Sequence, residues 1–335
     1  MPDDIAVDEL VSEFFIDTCR LHYTIDVKAI AALGVCVIIM NDEDPEYPET
    51  DLIALTTGSV AELHIDPLLS CVGDTDIMFH PSNLLAMPSG YSPPTELPAE
   101  FNNIVLVCEI ADSEYPSYVY LVSSYLLIEC IDDGMYGAVE IKGPLYQAYI
   151  SHSYKGLSPR YLHGPAIASH WTIRYASPVV KRVAGYNRSL DMVPSHRCLL
   201  WPAQAADWPT RHRSYGWPDS ATVDRAVSDG CDVVHIAHHL CRQDEWLTHI
   251  QWRLSFSRAE IVLLNSWMPV QQIVYHMLRV FVKTERFSSS DDCGIGTLSN
   301  YHIKTLMLWV CELRPSPYLQ PFSRYWALKI IGSRP

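Results

Sequence analysis

Asp74 and Asp76 stand two positions apart in Gly73-Asp74-Thr75-Asp76-Ile77-Met78-Phe79. Side chains alternate along a strand, so the two carboxylates point the same way. They repel one another unless a cation lies between them. Magnesium suits such a pair, because it takes carboxylate oxygens and keeps positions open for water and phosphate. Upstream, the apolar stretch Leu55-Thr56-Thr57-Gly58-Ser59 ends in a Gly-Ser turn. Gly58 allows a close approach of backbone to phosphate, and Ser59 adds a hydroxyl and an amide donor. The combination describes metal-dependent phosphoryl transfer. An Asp-x-Asp by itself is more often a solvated loop or strand end; the Gly-Ser turn and the apolar flanks turn the balance here.

A site of this kind needs a third carboxylate from another strand. Ser189-Leu190-Asp191-Met192-Val193-Pro194 supplies one between apolar neighbours. A charge in such a place is costly unless paired or metal-bound. Two readings of Asp191 stay open: a third ligand that helps two metals clamp the attacking and leaving oxygens, or a strand-end Asp capping the next segment of chain.

The elements that position these residues are α/β in pattern. Residues 7–24 read as an amphipathic helix, with Leu10, Phe14, Phe15, Cys19 and Leu21 on its apolar side and acidic residues over much of the rest. Strands are expected at 104–109, 118–121 and 138–141, after a turn-rich loop through Pro88, Gly90, Pro93 and Pro94. Residues 151–163 read as a polar loop and 231–239 as a strand. Ser257 and Glu260 have capping-box spacing, which predicts a helix over 257–267; Pro269 suits the first turn of the next, 270–284. A further helix over 301–313 is apolar on most sides and is expected to be buried. The chain therefore divides into a mixed α/β part, 1–200, and a mainly helical part, 201–335.

Composition narrows the function. A net charge of −15 with no dense basic run opposes non-specific binding to nucleic acid and any groove for extending an RNA end. The longest apolar runs, 29–40 and 118–131, are too short to span a bilayer, and no membrane partner is expected. The N-terminus lacks a secretory pattern, and ten scattered cysteines fit free thiols, so the cytoplasm is the expected location. Cys231, His235, His238, His239 and Cys241 are dense enough to raise zinc. On a strand, the members of one parity spread over roughly 30 Å, which favours core or strand-face roles, and no structural zinc is expected.

Seven motifs occur in order: Gly58-Ser59-Val60-Ala61-Glu62, Gly73 to Phe79 as quoted, His163-Gly164-Pro165-Ala166, Asp191-Met192-Val193-Pro194, Trp201-Pro202, Trp252-Arg253-Leu254-Ser255-Phe256-Ser257 and Tyr301-His302-Ile303-Lys304-Thr305. Their set resembles the Mab-twenty-one (male-abnormal) nucleotidyltransferase family, which includes the cyclic GMP–AMP synthase-like receptors. The resemblance implies a polymerase-beta-like nucleotidyltransferase lobe, a mixed β-sheet with flanking helices, beside a helical C-terminal lobe. It implies that residues 7–24 form the long helix spanning both lobes. Asp74, Asp76 and Asp191 would hold two Mg2+ (or Mn2+) ions. Gly58, Ser59, Glu62, Arg253, Arg279 and Tyr301 would bind nucleotide, Tyr301 by stacking on a base; a core role for Tyr301 is the alternative. The implied reaction joins ribonucleoside triphosphates such as ATP and GTP into a cyclic dinucleotide messenger, in innate immune sensing of a ligand. A non-catalytic regulatory protein on the same scaffold is the competing reading. The family's zinc-binding insertion is absent, since Asn265-Ser266-Trp267-Met268-Pro269 runs straight across. That argues against DNA as activator; double-stranded RNA is retained, against the acidic charge. The family pattern leads one to expect further helices after 313–322, whereas this sequence ends at Pro335 after a short basic tail.

Overall fold

The computed structural model describes residues 52–58, 75–146, 161–163, 166–170, 189–241, 245–284 and 299–314. The helix expected over 7–24 lies outside them.

The organising strand is β9 (Ser189–Cys198), longer than the sequence suggests. Its first half pairs in parallel with β2 (Thr75–Pro81), which pairs antiparallel with β1 (Leu52–Thr57). On its other side lies β8 (Ala166–His170), in a hairpin with β7 (Tyr161–His163). The second half of β9 belongs to a different set. It pairs with β10 (Cys231–His235) on one side and β3 (Leu84–Pro88) on the other. From β10 the sheet continues through β11 (Gln251–Ser255), β5 (Tyr118–Glu129) and β4 (Ile104–Asp112) back to β3, so these strands and β9 close into a ring. β6 (Tyr136–Glu140) hangs on β5 outside the ring.

The inside of the ring explains the sequence of β9 and β10. Ala86, Cys108, Ile110, Val119, Leu121, Cys198, Cys231, Val233, Trp252 and Leu254 form one buried cluster drawn from every ring strand. Alternation sends Cys231 and Val233 inward, so Asp232 and Val234 face out. Polar residues in the second half of β9 hide its length from pattern reading. Ser195 donates to the Phe79 carbonyl at 3.1 Å, and the buried Arg197 guanidinium donates to the carbonyls of Cys198 and Cys231 at 2.8 and 3.0 Å. The Ser195 and Arg197 side chains thus have backbone to bind, which lets them sit in a strand.

Other boundaries also differ from expectation. β10 stops at His235, and a 3-10 turn at His239–Cys241 follows, where the pattern predicts a single strand to 239. β4, β5 and β6 replace shorter expected strands. α1 (Ser220–Ser228), capped by Asp219 accepting from the Thr222 amide at 2.7 Å, is an additional helix. After the short α2 (Glu245–Ile250) come α3 (Ser257–Asn265), α4 (Pro269–Thr284) and α5 (Asn300–Leu313). The expected Ser257–Glu260 capping box does not form. Ser257 pairs with the Ser255 hydroxyl at 3.1 Å, and Glu260 instead accepts from Lys304 of α5 at 2.7 Å. A capping box does form at the start of α5, between Ser299 and His302.

Leu264, Trp267, Val274, Tyr275, Val282, Ile303, Met307 and Cys311 join α3, the turn after it, α4 and α5 in a second core. Only one face of α5 is buried there. Leu306, Trp309 and Leu313 are exposed, so the expectation of a helix buried on most sides is corrected. Among the described residues no helix is long and apolar enough to cross a membrane.

Candidate active site

The end of β1 and the starts of β2 and β9 meet at one place. Thr57 lies opposite Asp76 in the antiparallel pair, and Asp76 lies opposite Asp191 in the parallel pair. Neighbouring strands are about 4.8 Å apart, so the register alone makes Asp76 and Asp191 adjacent across the ladder. Gly58 turns the chain away with φ +65°. A Cβ there would meet the Asp76 carboxylate, its Cγ at 2.8 Å. Glycine is therefore required twice, for a left-handed backbone and for the space the carboxylate uses. Thr57 Oγ1 donates to the Asp76 carbonyl at 3.5 Å and fixes the start of β2.

The ground beneath the pair is apolar. Met78 and Val193, two positions beyond Asp76 and Asp191, are buried with Val234 and Ile236, and Leu55 of β1 packs on them. Charges at the edge of such a surface are less screened than in open water. Hard oxygen donors on adjacent strands fit a small divalent cation. Among the described residues no group of three or more His, Cys, Asp or Glu gathers for a metal. The other carboxylate that the sequence leads one to expect here, Asp74, lies outside the described residues, as do Ser59 and Glu62.

The other expected nucleotide contacts are dispersed. Arg253 of β11 lies opposite Val234 of β10, which lies opposite Ser195 of β9, four positions beyond Asp191. Strand spacings put Arg253 on the order of 15 Å from Asp191, half-buried on the outward face of the sheet. Arg279 is only 1% exposed, inside the helical core, with its guanidinium 5.4 Å from the Tyr275 ring. Tyr301 occupies the first turn of α5 and is 63% exposed, with Lys304 Nζ 6.0 Å from its ring. The ion pair of Lys304 with Glu260 ties this turn to α3, which follows β11.

The cysteine and histidine group around β10 has separate surroundings for its members. Cys231 lies inside the ring, His235 tilts against Trp252, and His238 stacks on Tyr115 at 3.9 Å.

Two features escape sequence reasoning. Thr57 is legible only as part of Thr-Thr-Gly-Ser; its place opposite Asp76 needs the register. Asp232, fully buried, accepts from Arg258 Nε of α3 at 2.8 Å, clamping helix to sheet. The only signal for it is a charge within the apolar run Cys231 to His235. Beside this pair, burial pushes His80 of β2 down to about 4, with Asp232 opposing that shift.

Residues 162–266, from β7 through α3, match the Mab-21 protein nucleotidyltransferase domain. This segment contains Asp191 and Arg253; Gly58 and Asp76 precede it. The chain is also similar to "Protein mab-21-like" of Aedes aegypti, 26% identical over 147 residues, 43% of this chain and 36% of the relative. With "Protein mab-21-like" of Drosophila melanogaster it shares 29% identity over 134 residues, 38% of this chain and 34% of the relative. Each match thus spans about a third of the curated relative's length.

Proposed function

From the premise that the chain is a member of the Mab-21 family, we propose that it is a divalent-metal-dependent nucleotidyltransferase that joins ribonucleoside triphosphates into a cyclic dinucleotide. The observation that carries this reading is the register of Asp76 against Asp191, with Gly58 shaped around the Asp76 carboxylate. A fold that needed only stability has little use for two acidic residues facing each other across a ladder, since like charges there are destabilising.

Asp74, Asp76 and Asp191 would hold Mg2+ or Mn2+, which when bound neutralises charge on the phosphates and on the attacking oxygen. Gly58 and Ser59 present backbone and hydroxyl donors to the triphosphate. A ribose hydroxyl of one nucleotide forms a bond to the α-phosphorus of another; the bond to the bridging oxygen breaks and pyrophosphate departs. A second transfer within the linear product closes the ring. Tyr301, exposed at the start of α5, offers a face for a base, and Lys304 lies beside it. Holding two nucleotides in line supplies much of the rate. The activating ligand, double-stranded RNA in preference to DNA, and action in the cytoplasm as an immune sensor, complete the proposal.

A second reading, a non-catalytic regulatory protein on the same scaffold, draws on the burial of Arg279, which leaves that guanidinium inside the helices. The test incubates the protein with Mg2+ or Mn2+ and the four ribonucleoside triphosphates, with and without double-stranded RNA or DNA. Mass spectrometry should find a cyclic or linear dinucleotide that disappears in an Asp74→Asn/Asp76→Asn variant. No product in any mixture, together with no triphosphate binding by titration, would favour the second reading.

A further inference from the structure

Cys198 and Cys231 lie directly opposite one another in the antiparallel ladder of β9 and β10. Both are free thiols, fully buried, and both side chains point into the ring. Opposed residues of an antiparallel pair have Cα atoms about 4.5–5.5 Å apart, and a disulfide spans about 4.4–6.8 Å. The two Cα–Cβ bonds also share a face, so register and direction both suit a bridge.

The two thiols hydrogen-bond to one another, and Cys198 Sγ donates in turn to the Leu200 carbonyl at 3.2 Å. Their mutual bond holds the Cys198 thiol below the ordinary range and pushes Cys231 well above it. The Arg197 guanidinium, bound to the carbonyls of both cysteines, further favours a thiolate at Cys198. Cys198 ends β9 and Cys231 begins β10, so the pair forms the last rung of the ladder. Leu200 and Asp229, two residues beyond it on either side, are exposed. Strand ends fray more readily than strand centres open, which gives a reagent little larger than water a way to buried sulfur.

We propose that Cys198 and Cys231 are a redox modification site, where a hydroperoxide converts the pair, within the folded chain, into a disulfide that thiol reductants reopen. The Cys198 thiolate attacks one peroxide oxygen. The O–O bond breaks, and the departing oxygen takes up the proton that Cys198 released. The Cys231 sulfur then attacks the Cys198 sulfenic acid: the S–S bond forms, the S–O bond breaks, and water leaves with the Cys231 proton. Two thiols together lose two electrons and one peroxide gains them. The bridge ties the end of β9 to the start of β10 and closes the chain between them, α1 included, into a loop.

The test treats the full chain with hydrogen peroxide under native conditions, removes the peroxide with catalase and alkylates the remaining thiols in urea. A tryptic digest is then mapped by mass spectrometry without reduction. Residues 198–211 and 226–242 should appear joined, about 2 Da lighter than the two peptides together, with fragmentation placing the bridge on Cys231 and not on Cys241. Dithiothreitol should separate them. The bridged chain should also unfold at a higher urea concentration than the reduced chain, because a cross-link restrains the unfolded state. Recovery of Cys198 and Cys231 as alkylated thiols, a bridge from Cys198 to another cysteine, or a bridge that forms only when peroxide is added in urea would each overturn the proposal. A bridged chain with a lower urea midpoint would overturn it too, since the folded ladder would then not accommodate the bond.

Discussion

At Gly58 a single missing carbon atom holds the proposed chemistry together. The residue is left-handed, and the Asp76 carboxylate occupies the space a side chain would take. Gly58→Ala should cost about 1–2 kcal/mol from backbone strain alone, and should cost activity beyond that by displacing the carboxylate. Thermal unfolding and product formation, measured on one preparation, separate the two effects. An active variant of wild-type stability would show that neither constraint operates. The motif itself is legible in the sequence, because the Gly-Ser turn and the apolar flanks lift the paired aspartates above an ordinary solvated Asp-x-Asp. Their meeting with Asp191 is not, since a strand pattern states which face a residue takes and is silent on which strand lies beside it.

Among elements, α3 shows where local reading fails. Serine and glutamate at capping spacing predict a reciprocal cap, yet Glu260 reaches Lys304 on α5, and a tertiary ion pair replaces the local bond. The same helix sends Arg258 to Asp232, which is fully buried on β10. Removing one partner of such a pair strands the other charge away from water. Asp232→Ala should therefore destabilise by about 3–5 kcal/mol, read as a lower urea midpoint. A loss below about 1 kcal/mol would mean that Arg258 swings out to solvent. Amphipathic spacing locates α4 and α5 well because it depends only on the helix period. It overstates the burial of α5, where the apolar residues on the second face have no cover among the described residues.

For the molecule as a whole, buried histidines set the response to acid. Burial pushes His80 down to about 4, and His196 and His276 to about 3. His196 sits within the ring against Trp252 and Tyr146, and His276 lies in the helical core near Arg279, whose charge lowers it further. All three folded values lie below the ordinary 6.5, so the unfolded chain takes up protons first as pH falls. The stability they contribute is complete above about pH 6.5 and declines below it, by as much as about 1.4 kcal/mol per pH unit for each group. Urea midpoints at pH 7.5 and 5.5 measure this; equal values would mean these side chains are wet or paired.

The division of β9 between two sets of partners bears on how the protein is made. Residues 190–194 lie beside β2, made long before them, whereas 195–198 lie beside β10, made after them. On a ribosome, Asp76 emerges early and waits without its facing carboxylate until β9 follows, and the second half of β9 is not held on both sides until β10 is clear of the exit tunnel. Chain-closing steps of this length are slow relative to local ones. The proposed metal site is thus among the late features of synthesis, and a nascent chain halted before β9 has Asp76 without the strand that brings Asp191 to face it.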